Sequence, residues 1–494
     1  MNYEVYIIGA GSFAKKLAIT LTKFPISLKG FIDEFAQGKL MSLPVYKACQ
    51  VVTKKDTIFL SAISNSEYTL NAINRLKKRG ISRSQIIPLY YDSCAVYLEA
   101  TLSNDFATNI VKLANCKGQF ENYEADTSPK PLNSDLLSVR LLSRGSLFLS
   151  HLKPVLNALD AHGVKYEIAS DRFNSHFREQ KIASQEMMLK TSSPLVLTSQ
   201  FFDISPSLTV RLTFLHAIYD SMMFRESIFD TIDNPKHHYI AMPTEACMSF
   251  FAQKLEQKKL RNKVTLIPLG YPKLDRSIRE YHKYQRSASS NQIIIYAPTQ
   301  SLTPSPETPE GYSIYHAYEF LLTLIDKLPN HKLVIQPHPD DLVLLNESAE
   351  TEATIEMKKL IRLTEEHPRV SLIDSSQPQL ELFAKSQFLI SDTSSTAYTY
   401  AFTTLKPVLF LSPNEKVLSS KWSHLYYIKD RKKIGVVCSN RSEIDDVIVK
   451  LTSNAKYYEK EIGSLRQNRV YNLFDSEKHL PELISFLIDK SKNN

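Results

Sequence analysis

A chain of 494 residues is too long for one hydrophobic core and is expected to divide into about three domains of roughly 150 residues each. Its 43% hydrophobic and 23% charged residues are the proportions of an ordinary globular protein, not of a disordered or fibrous chain. A net charge of +8 is too slight at this length to mark a nucleic-acid binder, and it suits anionic ligands or an anionic membrane surface. The five cysteines, Cys49, Cys94, Cys116, Cys247 and Cys438, form no Cys-x-x-Cys pair. They indicate neither a disulfide framework nor a zinc site, and a reducing cytoplasm fits them best. Met1-Asn2-Tyr3-Glu4 lacks the basic and apolar regions of a signal peptide. No stretch reaches the roughly 18 to 20 apolar residues of a membrane span, so any membrane association is expected to be peripheral.

The chain opens on a strand-turn-helix unit. Glu4–Ile8 reads as a short apolar strand, and Gly9-Ala10-Gly11-Ser12-Phe13-Ala14 then matches the pattern Gly-x-Gly-x-x-Gly/Ala. An amphipathic helix follows to Leu21. A second strand, Leu28–Ile32, ends in Asp33 and Glu34. That acid lies about 20 residues past the glycines, where such a unit meets a ribose hydroxyl. Thr57–Ala62 is a third strand, Glu67–Arg79 a helix and Ile86–Pro88 a fourth strand. One reading places a dinucleotide on Gly9, Gly11 and Asp33. The other has the glycines serve only a tight turn and close helix packing. The segment, expected to span residues 1–117, resembles the small Rossmann-like domain at the N-terminus of sugar acyltransferases of the PglD type, which is also found fused to other polysaccharide enzymes.

Residues 118–135 are polar, carry two prolines and show no periodicity, as in a linker. A second domain, 136–290, is expected from Ser146–Leu149 as a strand, a helix beginning near His151, and Tyr166–Ala169 as the next strand. This is a βαβ unit. Pro194–Thr198 and Val210–Leu215 are further strands, and the latter ends at His216. Ligands of open α/β sheets sit beyond the carboxyl ends of the strands. A neutral imidazole there suits proton abstraction from a hydroxyl, although a hydrogen-bonded structural histidine is the plainer alternative. Further on come the strand before Met242, the helix from Thr244 and the strand Val264–Pro268. The turn Gly270-Tyr271-Pro272-Lys273-Leu274-Asp275 follows, with Gly270 and Asp275 as supporting residues.

A third domain, 291–425, holds the stretch on which the reading turns. Gln292–Tyr296 is a strand ending in Ala297-Pro298-Thr299, and Lys332–Ile335 is a strand ending in Gln336-Pro337-His338-Pro339. The two prolines brace His338 as a site residue is braced. Gln387-Phe388-Leu389-Ile390 runs as a buried strand into Ser391-Asp392-Thr393-Ser394-Ser395-Thr396. The helix behind that turn presents free N–H groups and its positive dipole end, so the turn is a place to hold a phosphate. A helix cap alone needs only one such residue. Helices are expected over 426–494.

These motifs, in this order and spacing, resemble the CDP-glycerol glycerophosphotransferase family of teichoic-acid and capsule polymerases, over roughly Ser146 to Leu411. The resemblance rests on Gly270–Asp275, on Tyr296-Ala297-Pro298-Thr299, on His338-Pro339, and on Ser391–Ser395 followed by Lys406-Pro407-Val408. It implies an α/β fold of GT-B architecture: two Rossmann-like domains facing a cleft, here preceded by the extra N-terminal one. It further implies His216 as the base on the acceptor hydroxyl and His338 on the donor phosphates. Ser391, Asp392, Thr393, Ser394, Ser395 and Thr299 would bind the donor diphosphate. Two departures stand out. Leu215 and Ala217 replace the family's tryptophan and glycine around the histidine, and Ser301 replaces an arginine. They leave open a donor other than CDP-glycerol.

The expected activity is transfer from a CDP-linked or other nucleotide-activated donor to a hydroxyl of a capsule, teichoic-acid-like or lipopolysaccharide glycan, polymeric or lipid-linked. It would proceed without a metal or required cofactor and without nucleic acid, at the inner face of the membrane. Lys421-Trp422 and Arg431-Lys432-Lys433 are the expected docking surface. The alternatives are a conventional glycosyltransferase or epimerase of the same fold, and a non-catalytic scaffold.

Overall fold

The computed structural model describes residues 4–22, 26–54, 57–63, 72, 75–82, 85–88, 137–141, 146–170, 181–182, 195–199, 210–219, 237–286, 292–302, 309–338, 341–342, 345, 351–373 and 378–492. The expected linker 118–135 and most of the expected helix Glu67–Arg79 lie outside these residues, as do Cys94, Cys116 and Pro339.

Among the described residues, three sheets organise the chain. The first runs in the spatial order Lys39–Leu40, Leu43–Tyr46, Ser27–Ile32, Glu4–Ile8, Thr57–Ser61, Ile86–Pro88. Every neighbouring pair in it is parallel except the hairpin of the first two strands. The second has the order Val264–Ile267, His237–Ala241, Val210–Phe214, Leu195–Thr198, Leu137–Leu141, Tyr166–Ser170, Lys181–Ile182. The third has the order Val370–Leu372, Lys332–Ile335, Ile293–Tyr296, Ser386–Ser391, Val408–Leu411, Gly435–Cys438. Both are parallel throughout. Parallel sheets are covered on both faces, which is why strands such as Ile293-Ile294-Ile295-Tyr296 carry no polar alternation.

One strand expected from sequence is a helix. Ser146–Leu149 forms the first turn of the helix Ser146–Ala161, and the strand that pairs with Tyr166–Ser170 is Leu137–Leu141. Leu152, Val155, Leu156 and Leu159, three and four apart, are all buried. A short apolar run joined to that spacing belongs to the helix, and the run alone does not distinguish the two states.

The C-terminal part also departs from an all-helical segment. Gly435–Cys438 closes the edge of the third sheet, and Ile444, Val447 and Leu451 pack into that sheet's core. The helix Ala455–Arg469 then leads back, and Leu480, Ile484 and Leu487 of the last helix, Leu480–Lys492, bury against Leu152, Leu156 and Leu212 of the second sheet's layer. The chain end therefore belongs to two cores.

The second and third sheets share an apolar cluster. It includes Leu215, Ile218, Tyr219, Leu274 and Ile278 from one side and Phe383, Tyr398, Phe402 and Tyr427 from the other. Tyr219 stacks on Tyr398 with centroids 3.8 Å apart and planes at 7°. Its hydroxyl donates to Asp430, which also accepts from Arg469. No helix among the described residues is long and apolar enough to cross a membrane.

Candidate active site

His216 follows the strand Val210–Phe214, in which all five residues are buried. Beneath it lies a cluster that sequence reading did not assemble. The Tyr271 hydroxyl is 3.1 Å from the His216 carbonyl oxygen and 2.7 Å from His151 Nδ1. Lys273 Nζ is 3.1 Å from His151 Nε2. The bond polarities follow from proton counting. The phenol has one hydrogen, which it donates to the carbonyl, so it accepts from His151 Nδ1–H, and the Nε2 lone pair accepts from Lys273.

His151 is therefore a neutral imidazole. Burial, with Lys273 and His216 close by, holds its pKa well below the ordinary value. Burial likewise brings Lys273 down to about 8 and pushes the Tyr271 phenol well above its usual range. The His151 and His216 rings meet edge to face at 6.1 Å. The effect of the cluster is to fix the backbone of His216 from below.

Gly270 and Asp275 hold the returning C-terminal chain. Gly270 has φ +96°, and a Cβ there would lie 2.3 Å from the Tyr471 oxygen. The buried Asp275 carboxylate accepts from the Phe474 N–H at 2.8 Å, the Ser476 N–H at 3.1 Å and the Ser476 hydroxyl at 2.5 Å. These two residues of the Gly-Tyr-Pro turn are supports, and Tyr271 and Lys273 between them face the histidines.

Opposite, the strands Lys332–Ile335, Ile293–Tyr296 and Ser386–Ser391 are neighbours, so their carboxyl ends bring His338, Thr299 and the turn from Ser391 to one edge. His338 is half-buried, and its carbonyl accepts from the Asp341 N–H at 2.9 Å. Asp341, fully buried, accepts from the Ser301 and Leu302 N–H groups at 2.8 and 3.0 Å. It ties the histidine loop to the Thr299 loop. Ser301 is 2% exposed.

The hydroxyl-rich turn is built differently from the expectation. Ser391, Asp392 and Thr393 are 0%, 2% and 5% exposed, and their side chains hold the protein to itself. Ser391 donates to the Ala297 oxygen at 2.6 Å, and Thr393 to the Gly311 oxygen at 3.3 Å. The Asp392 carboxylate accepts from the Thr299 N–H at 2.8 Å and from the Ser313 N–H and hydroxyl at 3.0 and 2.8 Å. Burial raises the Asp392 pKa, and these donors pull the other way. A carboxylate only accepts, so Asp392 is the brace of the turn rather than a phosphate ligand. Ser394 Oγ accepts from the Thr396 N–H at 3.3 Å. Ser395 and Thr396, at the start of the helix Thr396–Thr404, are the half-buried hydroxyl residues. What the turn offers an anion is chiefly backbone amide at a helix N-terminus. That Asp392 takes the orienting role was not legible locally, because its partners lie 79 and 93 residues away.

Residues 232–479 match the family described as CDP-glycerol:poly(glycerophosphate) glycerophosphotransferase. The match spans half of the chain. The chain belongs to this family. As a member of the glycerophosphotransferase family it is a transferase, and the matched region takes in both Gly270–Asp275 and Ser391–Thr396, with His216 lying upstream of it. No curated protein matches the chain. Among solved structures it resembles the wall teichoic acid polymerase TagF, at a TM-score of 0.50 and 13% identity over 82% of this chain and 100% of that one. It also resembles a UDP-GlcNAc 2-epimerase from Neisseria meningitidis bound to UDP-GlcNAc, at 0.43 and 15% over 71% and 99%. The TagF likeness speaks for the fold, the GT-B arrangement of two parallel α/β layers.

Three expectations fall on residues with other tasks. The Asp33 carboxylate, expected at a ribose, accepts from the Ala10 N–H at 2.9 Å and from the Phe35 and Ala36 N–H groups at 2.8 and 2.9 Å. Gly9 has φ +103°, and a Cβ there would lie 3.0 Å from Ile63, so this glycine serves the turn itself. The expected docking surface is partly interior. Trp422 is 7% and Arg431 2% exposed. Trp422 donates to Glu310, Lys421 pairs with Glu310 at 2.8 Å, and Arg431 donates to both Glu415 oxygens. An aromatic ring and a guanidinium with such partners are packing elements.

Proposed function

We propose that the glycerophosphotransferase-family chain transfers glycerol phosphate from CDP-glycerol to a hydroxyl of a teichoic-acid-like or capsule glycan at the inner membrane face. The observation that carries the reading is the shared edge of the third sheet, where the turn at Ser391–Thr396, Thr299 and His338 lie side by side. The turn and His338 hold the donor diphosphate. The acceptor oxygen attacks the phosphorus of the glycerol phosphate group, the bond from that phosphorus to the bridging oxygen breaks so that CMP leaves with that oxygen, and the hydroxyl proton passes to the His216 ring. Amide donors offset charge on the departing CMP, which is the term that dominates phosphoryl transfer. The backbone of His216, pinned by Tyr271, keeps the base in place.

The test is a donor screen with CDP-glycerol, CDP-ribitol and UDP- and CMP-sugars. CMP release from CDP-glycerol supports the reading, and His216→Ala should lower turnover by about 10²–10⁴ with folding retained. Release of a nucleoside diphosphate from a nucleotide sugar would make the chain a conventional glycosyltransferase instead. No release from any donor would leave a scaffold.

A further inference from the structure

Tyr427 lies one residue into the helix Tyr426–Ile434 and is fully buried. Its hydroxyl is 2.9 Å from the Asp392 carbonyl oxygen and 2.8 Å from the Ser394 carbonyl oxygen, so one hydrogen is shared between them. In a trans peptide the C=O and the following N–H point opposite ways, and the described chain has no cis peptide. Turning the carbonyls of residues 392 and 394 in toward Tyr427 therefore turns the N–H groups of Thr393 and Ser395 outward, on one side of the turn. Two amides turned to the same side, with the Ser394 amide between them held by Asp392, make a donor pair that can meet two oxygens of an anion. The arrangement is clamped from both ends. Tyr398, on the helix that starts at Thr396, donates to the Tyr427 carbonyl at 2.8 Å, and the two rings lie 5.0 Å apart.

We infer that Tyr427 is a positioning residue of the donor site: its hydroxyl aims the Thr393 and Ser395 amides at the diphosphate. This rests on the turn being the diphosphate site. Sequence motifs miss it because it sits 33 residues beyond Ser394, on another helix. Tyr427→Phe keeps the ring and its packing and removes only the hydroxyl. Calorimetry on the full chain should show CDP and CDP-glycerol binding about tenfold more weakly to the variant, with CMP affected less and the acceptor KM unchanged. In the unaltered protein, CDP titrated into a 15N-labelled sample should shift the Thr393 and Ser395 amide protons downfield. Equal affinity of both proteins for CDP, or a titration that moves neither amide, overturns the inference and leaves the donor reading standing. Failure of the unaltered protein to bind either CDP or CDP-glycerol removes the diphosphate reading itself, and the inference with it.

Discussion

The turns at Gly9–Ala14 and Ser391–Thr396 share one local grammar: a buried parallel strand, a short turn and a helix, with an aspartate near the turn. They use the aspartate in opposite ways. Asp33 reaches across from the neighbouring strand end and takes the Ala10 amide, one of the donors the glycine turn would show a ligand. Asp392 stands inside its own turn and takes amides from two other loops, those of Thr299 and Ser313. The first arrangement spends a turn donor on the carboxylate of a neighbouring strand, and the second ties two distant loops to the turn through a carboxylate that the Ser394 amide of the same turn also reaches. The difference teaches that a strand-turn-helix motif announces a possible anion site, and that the loops a nearby carboxylate ties to the turn decide what surrounds it.

The sharpest way to break the comparison is Asp392→Asn. Its amide nitrogen would face the Thr299 or Ser313 donors, inside a site that is 2% exposed. The expected cost is about 2–4 kcal/mol of stability, read from urea unfolding, together with loss of CDP binding. A stable variant that still binds CDP would deny Asp392 its organising role. A smaller effect is expected from Gly9→Ala, where φ +103° and the 3.0 Å approach to Ile63 should cost about 1–2 kcal/mol. Hydrogen exchange at residues 5–8 should quicken while transferase turnover stays the same. The smallest is Asp33→Asn, expected to cost about 1 kcal/mol through the Ala10 amide alone. Faster exchange at Ala10 with unchanged turnover fits a structural Asp33. A fall in turnover would join the first sheet to the chemistry.

Much of the layered fold was legible. Apolar runs such as Ile293–Tyr296 and Val408–Leu411 announce buried strands, and both are strands of a parallel sheet. Ser146–Leu149 was not legible as helix, because four apolar or small residues suit either state until the spacing through Leu159 is counted. Trp422 and Arg431 read as surface because aromatic and basic residues mark membrane contacts. Their burial depends on Glu310 and Glu415, and the pairing of Trp422 with Glu310 spans 112 residues.

By itself the sequence determined the α/β class, the strand ends at which His216, His338 and the Ser391–Thr396 turn stand, and the family. These rest on local patterning and ordered motifs, and local patterning is written along the chain. Only the tertiary structure decided what each polar group does. Asp392 became a brace, Asp33 a staple, His151 and Lys273 a foundation under His216, and Tyr427 the group that aims two amides. The physical reason is common to the last three and to Asp392, while Asp33, half-buried, takes only its Ala10 donor from outside its own loop. A buried polar atom must find a partner, and here those partners come mostly from other strands and helices, so role is fixed by packing across the fold rather than by residue type.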